Sequence, residues 1–212
     1  MKKYILLLAL LLSSTTFAVE PKFNDNFKQT KNEIETSSPG KIEVLELFWY
    51  GCIHCYSMDP YLDKWADSLP DDVVFKRVPA IPRKSWVPGA KAYFALETLG
   101  LEGKLHERLF DAIHKEKDVD PNNEAALISW VTLNGKLDEK EVKAAFNSFS
   151  IDTKLKKSYK IFKEAGATGV PTIIIDGNYM TSSTMAGGEK NAIDITNYII
   201  ENIRNDRKKT SE

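Results

Sequence analysis

Cys52 and Cys55 are the only cysteines in this 212-residue chain, and they stand in the run Cys-Ile-His-Cys. Two thiols three positions apart at a helix start come close enough to bond. The first would sit at the helix N-terminus, where unpaired N–H groups and the helix dipole favour an anion and lower its pKa. The second lies one turn inside and is more shielded. His54, between them, can stabilise the Cys52 thiolate further by charge or hydrogen bonding. The pattern is an asymmetric dithiol, with an exposed attacking sulfur and a resolving sulfur, suited to thiol–disulfide exchange. A structural staple fits less well. By the chain-entropy argument a four-residue loop gains only about 2 kcal/mol, against nearly 5 for a hundred-residue loop. A zinc site also fits poorly: there is no second cysteine pair, and His106 and His114 are eight positions apart, outside the usual ligand spacing.

Glu46 lies six positions before Cys52, within an apolar run. A strand-edge position with solvent access would explain it. The functional alternative is a buried carboxyl with a raised pKa, exchanging protons with Cys55. Val170-Pro171 precedes the last sheet segment. A cis bond there would turn the Val170 backbone outward to pair with an extended peptide. Only about 5–6% of X–Pro bonds are cis, so frequency alone favours trans.

The elements that position these residues are legible in outline. Residues 19–41 read as a polar arm with a short edge strand near Phe23 to Thr30. Ile42 to Tyr50 reads as a strand buried on both faces. A helix follows from about Cys52 to Ser68, then a strand over Asp72 to Pro79, which makes a parallel unit. Helices alone come next. One runs from Pro88-Gly89 to Gly100, and Leu105, Leu109, Ala112 and Ile113 form another apolar stripe. Asp120-Pro121 looks like a cap followed by a first-turn proline, for a helix ending at Asn134-Gly135. Asp138 and Glu141 resemble a capping box for a helix holding Val142, Ala145, Phe146 and Phe149. Leu155, Tyr159 and Phe162 carry the stripe into a helix that stops at Gly166. Thr172 to Ile175, the turn Asp176-Gly177-Asn178, and Tyr179-Met180 form a hairpin. A final helix over 189–204 leads into a charged tail expected to fray.

This order predicts an α/β chain: a thioredoxin-like fold with an inserted helical domain. The corresponding division is 19–81 with 161–204 for the thioredoxin-like part, 82–160 for the insertion, and 205–212 for the tail. Residues 1–18 read as a signal peptide. Lys2 and Lys3 precede the apolar run Ile5 to Leu12, and Thr16 and Ala18 suit cleavage after Ala18. Eight apolar residues reach only about 12 Å as a helix, against about 30 Å of hydrocarbon, so a membrane anchor fits poorly. Export would place the cysteines where disulfides persist. Apolar residues at 42% and charged residues at 28% exclude global disorder, and a net charge of −1 gives no electrostatic case for nucleic acid.

The run from Glu46 through Cys52-Ile-His-Cys55 to Pro60 closely resembles the active-site segment of the DsbA family, periplasmic thiol:disulfide oxidoreductases of Gram-negative bacteria. Arg77-Val-Pro-Ala80, Trp86, Ala90, Tyr93 and the stretch from Leu105-His106 to His114 resemble its helical insertion. Gly169-Val170-Pro171 and Asp176-Gly-Asn-Tyr179 match its cis-proline segment and hairpin. The resemblance implies Cys52 as nucleophile, Cys55 as buried partner, His54 as thiolate stabiliser and Glu46 as buried acid. Val170 and Pro171 would be the substrate-binding cis-proline pair. It implies reduced, unfolded exported proteins as substrates and a DsbB-like membrane quinone reductase as reoxidant, with no cofactor and no metal. The mature protein would be periplasmic and not membrane-inserted. Ile53 departs from the family's usual proline, which puts the oxidising strength in question. A disulfide isomerase or reductase, and a peptide-binding chaperone, are the competing functions. Val170, where isomerases of this superfamily often carry threonine, favours the oxidase.

Overall fold

The computed structural model describes residues 20–211, so the signal peptide expected over 1–18 lies outside the described residues. Five strands form one mixed sheet: β1 (Lys28–Gln29), β2 (Ile42–Phe48), β3 (Val73–Pro79), β4 (Thr172–Ile175) and β5 (Tyr179–Thr181), in the order β1-β5-β4-β2-β3. β2 is buried along its whole length, its two glutamates, Glu43 and Glu46, included. It pairs in parallel with β3 and antiparallel with β4. The crossover between β2 and β3 is α1 (Ile53–Ala66), with Cys52 as its N-cap.

One face of β2, through Ile42 and Val44, packs beneath Met58, Leu62 and Trp65 of α1 and the apolar stripe of α8 (Glu189–Ser211). The other face, through Leu45 and Leu47, meets Ile161 and Ala165 of α6 (Phe149–Ala165). Between β3 and β4 lie α2 (Val87–Thr98), α3 (Glu102–Asp111) with a wide π turn over Ala112–Glu116, α4 (Glu124–Gly135), α5 (Glu139–Phe146) and α6. Their core reaches back to the sheet through Phe48, Tyr50 and Cys55. The dithiol therefore sits where the sheet, α1 and the inserted helices meet. Among the described residues no helix is long and apolar enough to cross a membrane.

The glycine at position 177 is dictated by the hairpin between β4 and β5. It has φ +70, and a Cβ there would stand 2.0 Å from the Ile34 carbonyl oxygen. α7 (Ser183–Ala186) then leads into α8.

The structure corrects several local expectations. α4 is capped by Asn123, whose side chain accepts from Ala126 N–H. Asp120 instead closes a turn of its own, its carboxylate accepting from Asn122 N–H, so Pro121 precedes the helix. Asp138 does cap α5, but Phe149 lies beyond that helix, at the start of α6, and is 85% exposed. Tyr159 also points outward. The buried stripe of α6 is Ile151, Ser158, Ile161 and Ala165. The final helix is longer than expected: α8 runs past Arg204, through Ser211. Arg204 makes two hydrogen bonds to Asp72 at 2.6 and 2.7 Å, and Arg207 reaches Asp176 at 2.8 Å. These long-range ion pairs hold a segment whose own composition favours fraying.

Candidate active site

Cys52 and Cys55 are both free thiols, and the helix start treats them differently. As N-cap, Cys52 Sγ accepts from Cys55 N–H at 3.4 Å, the bond a capping serine or aspartate would make. Its thiol form donates to the Val170 carbonyl oxygen at 3.4 Å. Hydrogen bonding from Cys55 lowers the Cys52 pKa most. Burial opposes it, the His54 N–H and charge assist, and the result is about 6. Cys55 is fully buried. Burial pushes its pKa well above the ordinary range, and the hydrogen bond and charge of Cys52 add to that. One sulfur is built to be a thiolate and the other to hold its proton.

His54 lies on the exposed side of the first turn and acts on Cys52 through backbone and charge. Ile53 is half-exposed; the backbone donors acting on Cys52 are Cys55 and His54, not the N–H that isoleucine restores. The Val170–Pro171 bond is cis, against its frequency. Thr172 Oγ1 donates to Gly169 O at 2.9 Å, holding the approach to that bond. Gly51 is required by its neighbour: a Cβ there would stand 2.5 Å from the Trp49 indole, which stacks on Trp86 at 4.1 Å.

Glu46 is 1% exposed, which removes the strand-edge explanation. Burial raises its pKa to about 8, against the pull of Arg77 and with help from Asp59 and Asp63. Arg77 stands directly opposite in the parallel β2–β3 register. Its Nε lies 3.3 Å from Glu46 Oε2, close enough to attract but not aligned as a hydrogen bond, so both atoms lack one. The same guanidinium reaches Asp59 at 2.9 Å and Asp63 at 2.5 Å, with Glu102 at 3.8 Å. His106 of α3 completes the group. Its Nε2 is 3.2 Å from Asp59, and its Nδ1 is 2.8 Å from the Tyr50 hydroxyl. Among the described residues no group of three or more His, Cys, Asp or Glu could hold a metal ion.

Arg77, Asp59, His106 and Tyr50 carry no site role that the sequence alone assigns. Two had a signal. Arg77 is a cation within an apolar strand, and Asp59 follows Cys55 by one helical turn. His106 had none, since nothing local indicates its partners.

A family model for the DSBA-like thioredoxin domain matches residues 78–192. The thiol:disulfide interchange protein DsbA of Azotobacter vinelandii is 35% identical over 185 residues, covering 86% of this chain and 85% of that one. The chain belongs to the DsbA family. The DsbA of Pseudomonas aeruginosa is 34% identical, covering 97% of this chain and 99% of the relative. The crystal structure of that species' DsbA superposes with a TM-score of 0.82 at 32% identity, over 89% of this chain and 97% of the other. The DsbA oxidoreductase of Xylella fastidiosa gives 0.81 at 28% identity, over 87% and 98%. The expected thioredoxin-like fold with inserted helices is therefore the DsbA fold. Membership makes the chain a thiol:disulfide oxidoreductase, the chemistry its paired cysteines are arranged for.

Proposed function

We propose that this DsbA-family enzyme donates a Cys52–Cys55 disulfide to reduced, unfolded exported proteins through a mixed disulfide at Cys52. The observation that carries this reading is the capping of Cys52 Sγ by Cys55 N–H beside a buried Cys55. A substrate thiolate attacks Cys52 Sγ, the 52–55 bond breaks, and Cys55 leaves with the electron pair. Its high pKa means that it takes a proton, and Glu46, protonated up to about pH 8, is the proposed donor. A second substrate thiolate then attacks the substrate sulfur of the mixed disulfide and expels Cys52 as a thiolate. The substrate loses two electrons and the enzyme gains them. A pKa of about 6 makes Cys52 a good leaving group and stabilises the reduced enzyme, so the disulfide is oxidising. Family membership supports a periplasmic location and a DsbB-like membrane quinone reductase as reoxidant. Val170, whose carbonyl lies against Cys52 Sγ, and Pro171 are the proposed substrate-backbone site. We place the thioredoxin-like part at 19–81 and 161–204 around an insertion at 82–160, supported by α2 to α5 lying wholly between β3 and β4.

The equilibrium with glutathione tests this reading. A couple clearly more oxidising than glutathione is expected, and one as reducing as thioredoxin, about −270 mV, would favour the reductase alternative. Alkylation of the reduced protein near pH 6 should modify Cys52 on the order of a hundredfold faster than Cys55. Comparable rates at the two sulfurs would refute the asymmetry. The sign of the pH effect follows from the lowered pKa. The Cys52 thiolate stabilises the folded dithiol form above its ordinary 9.0, and that contribution is lost as pH falls through about 6.

Ile53→Pro should move the potential by only tens of millivolts, about 20 mV per kcal/mol, since the donors to Cys52 are unaltered. Loss of oxidase activity in that variant would contradict a purely tuning role.

A further inference from the structure

His106 is buried inside an aromatic cage and still carries two polar contacts. Its ring lies 5.1 to 5.8 Å, centroid to centroid, from Phe48, Tyr50, Tyr93 and Phe110. A leucine would fill such a cage without the cost of burying an imidazole. The direction of the hydrogen bonds is fixed by chemistry. The Asp59 carboxylate only accepts, so His106 Nε2 carries the hydrogen and donates; in the neutral ring Nδ1 then accepts from the Tyr50 hydroxyl. The chain thus runs from Tyr50, two residues before Cys52, through α3, to Asp59, four residues after Cys55. His114 adds a second tie, its Nε2 donating to the Tyr50 carbonyl oxygen at 2.7 Å.

We propose that His106 is a positioning residue for disulfide exchange: by donating to Asp59 it limits that carboxylate's claim on Arg77 and leaves the guanidinium in place beside Glu46. The inference rests on the proposed proton role of Glu46 for its catalytic meaning, though not for its geometry. His106 Nε2 and Arg77 donate to the same oxygen, Asp59 Oδ1. Without the imidazole N–H, that oxygen keeps Arg77 as its remaining charged partner and draws it from Glu46. Burial works against the ionised form of Asp59, but hydrogen bonding from His106 and the pull of Arg77 outweigh it, so its pKa lies below the ordinary range. The groups acting on Glu46 are Arg77 from β3, Asp59 and Asp63 from α1, Cys52 at its cap, Cys55 within it and Tyr93 from α2. Of these, His106 packs edge-on against Tyr93 and hydrogen-bonds Asp59.

The test is the pH titration of the Glu46 carboxyl, followed by carbon-13 NMR in the dithiol protein. His106→Leu should raise its midpoint by about half a pH unit or more. His106→Gln can donate to Asp59 and accept from Tyr50, so it should restore the wild-type midpoint. Tyr50→Phe should raise it less, because losing the bond at Nδ1 weakens donation at Nε2. Equal midpoints in wild type, His106→Leu and His106→Gln would mean that the ring only fills space, and would overturn the proposal. Should His106→Leu fail to fold, an unmoved midpoint in Tyr50→Phe overturns it instead. Whether Glu46 serves Cys55 is decided separately, by turnover of Glu46→Gln, so either idea can fail without the other.

Discussion

Replacing Arg77 by methionine should destabilise the protein by about 3–5 kcal/mol at neutral pH, the usual cost of removing one partner from a buried ion-pair group. Methionine keeps most of the aliphatic stem, so the loss is mainly electrostatic. The guanidinium side chain is 10% exposed and lies between Glu46 and Asp59, which are almost fully buried. Asp63 is 47% exposed, and solvent screens its share. Without the cation, Asp59 and Glu46 either ionise uncompensated or take up protons. The destabilisation should therefore be largest at alkaline pH and shrink as pH falls toward about 3, where both carboxyls are mostly protonated even in the unfolded chain. Denaturant unfolding at pH 8 and about pH 3 measures this. A loss under about 1 kcal/mol, or one independent of pH, would refute the account. Adding Glu46→Gln to Arg77→Met should recover part of the loss, because the two residues are coupled.

Glu46→Gln alone should act in the opposite direction on stability and should slow the reaction. The folded-state pKa of about 8 lies above the ordinary 4.5, so the carboxyl's contribution is most favourable below 4.5 and is lost as pH rises through about 8. Glutamine keeps the shape and an acceptor for Arg77 without the penalty. We expect a gain on the order of 3 kcal/mol at pH 7 and above, and none near pH 4. Turnover at neutral pH should fall on the order of a hundredfold if Glu46 supplies the Cys55 proton, while alkylation of Cys52 should barely change. Unchanged stability together with unchanged turnover would reduce Glu46 to a tolerated buried acid. A stabilised variant with full activity would separate the burial from the chemistry.

Most of the dithiol site could be read along the chain because its parts are local. Cys52, His54 and Cys55 lie within one helical turn, and the N-cap position alone makes the two sulfurs unequal. Glu46 was conspicuous because its polarity breaks an apolar strand. The hairpin at Asp176-Gly177-Asn178 is likewise a matter of neighbouring residues.

What the sequence determined by itself was the set of local events: strand, helix start, turn, and a thiol pair with its polarity. The tertiary structure decided which charges meet. Arg77 faces Glu46 only because parallel strands joined by a helix settle into one register, and no local pattern encodes that register. His106 reaches Asp59 and Tyr50 only once α3 has docked against the strand end and α1. The cis bond at Val170–Pro171 runs against backbone frequency, and α8 persists past Arg204 because Asp72 and Asp176 hold its arginines. For the charge network and for α8 the deciding energy is a contact between residues distant in sequence, and such contacts exist only after the chain has closed its loops and excluded water.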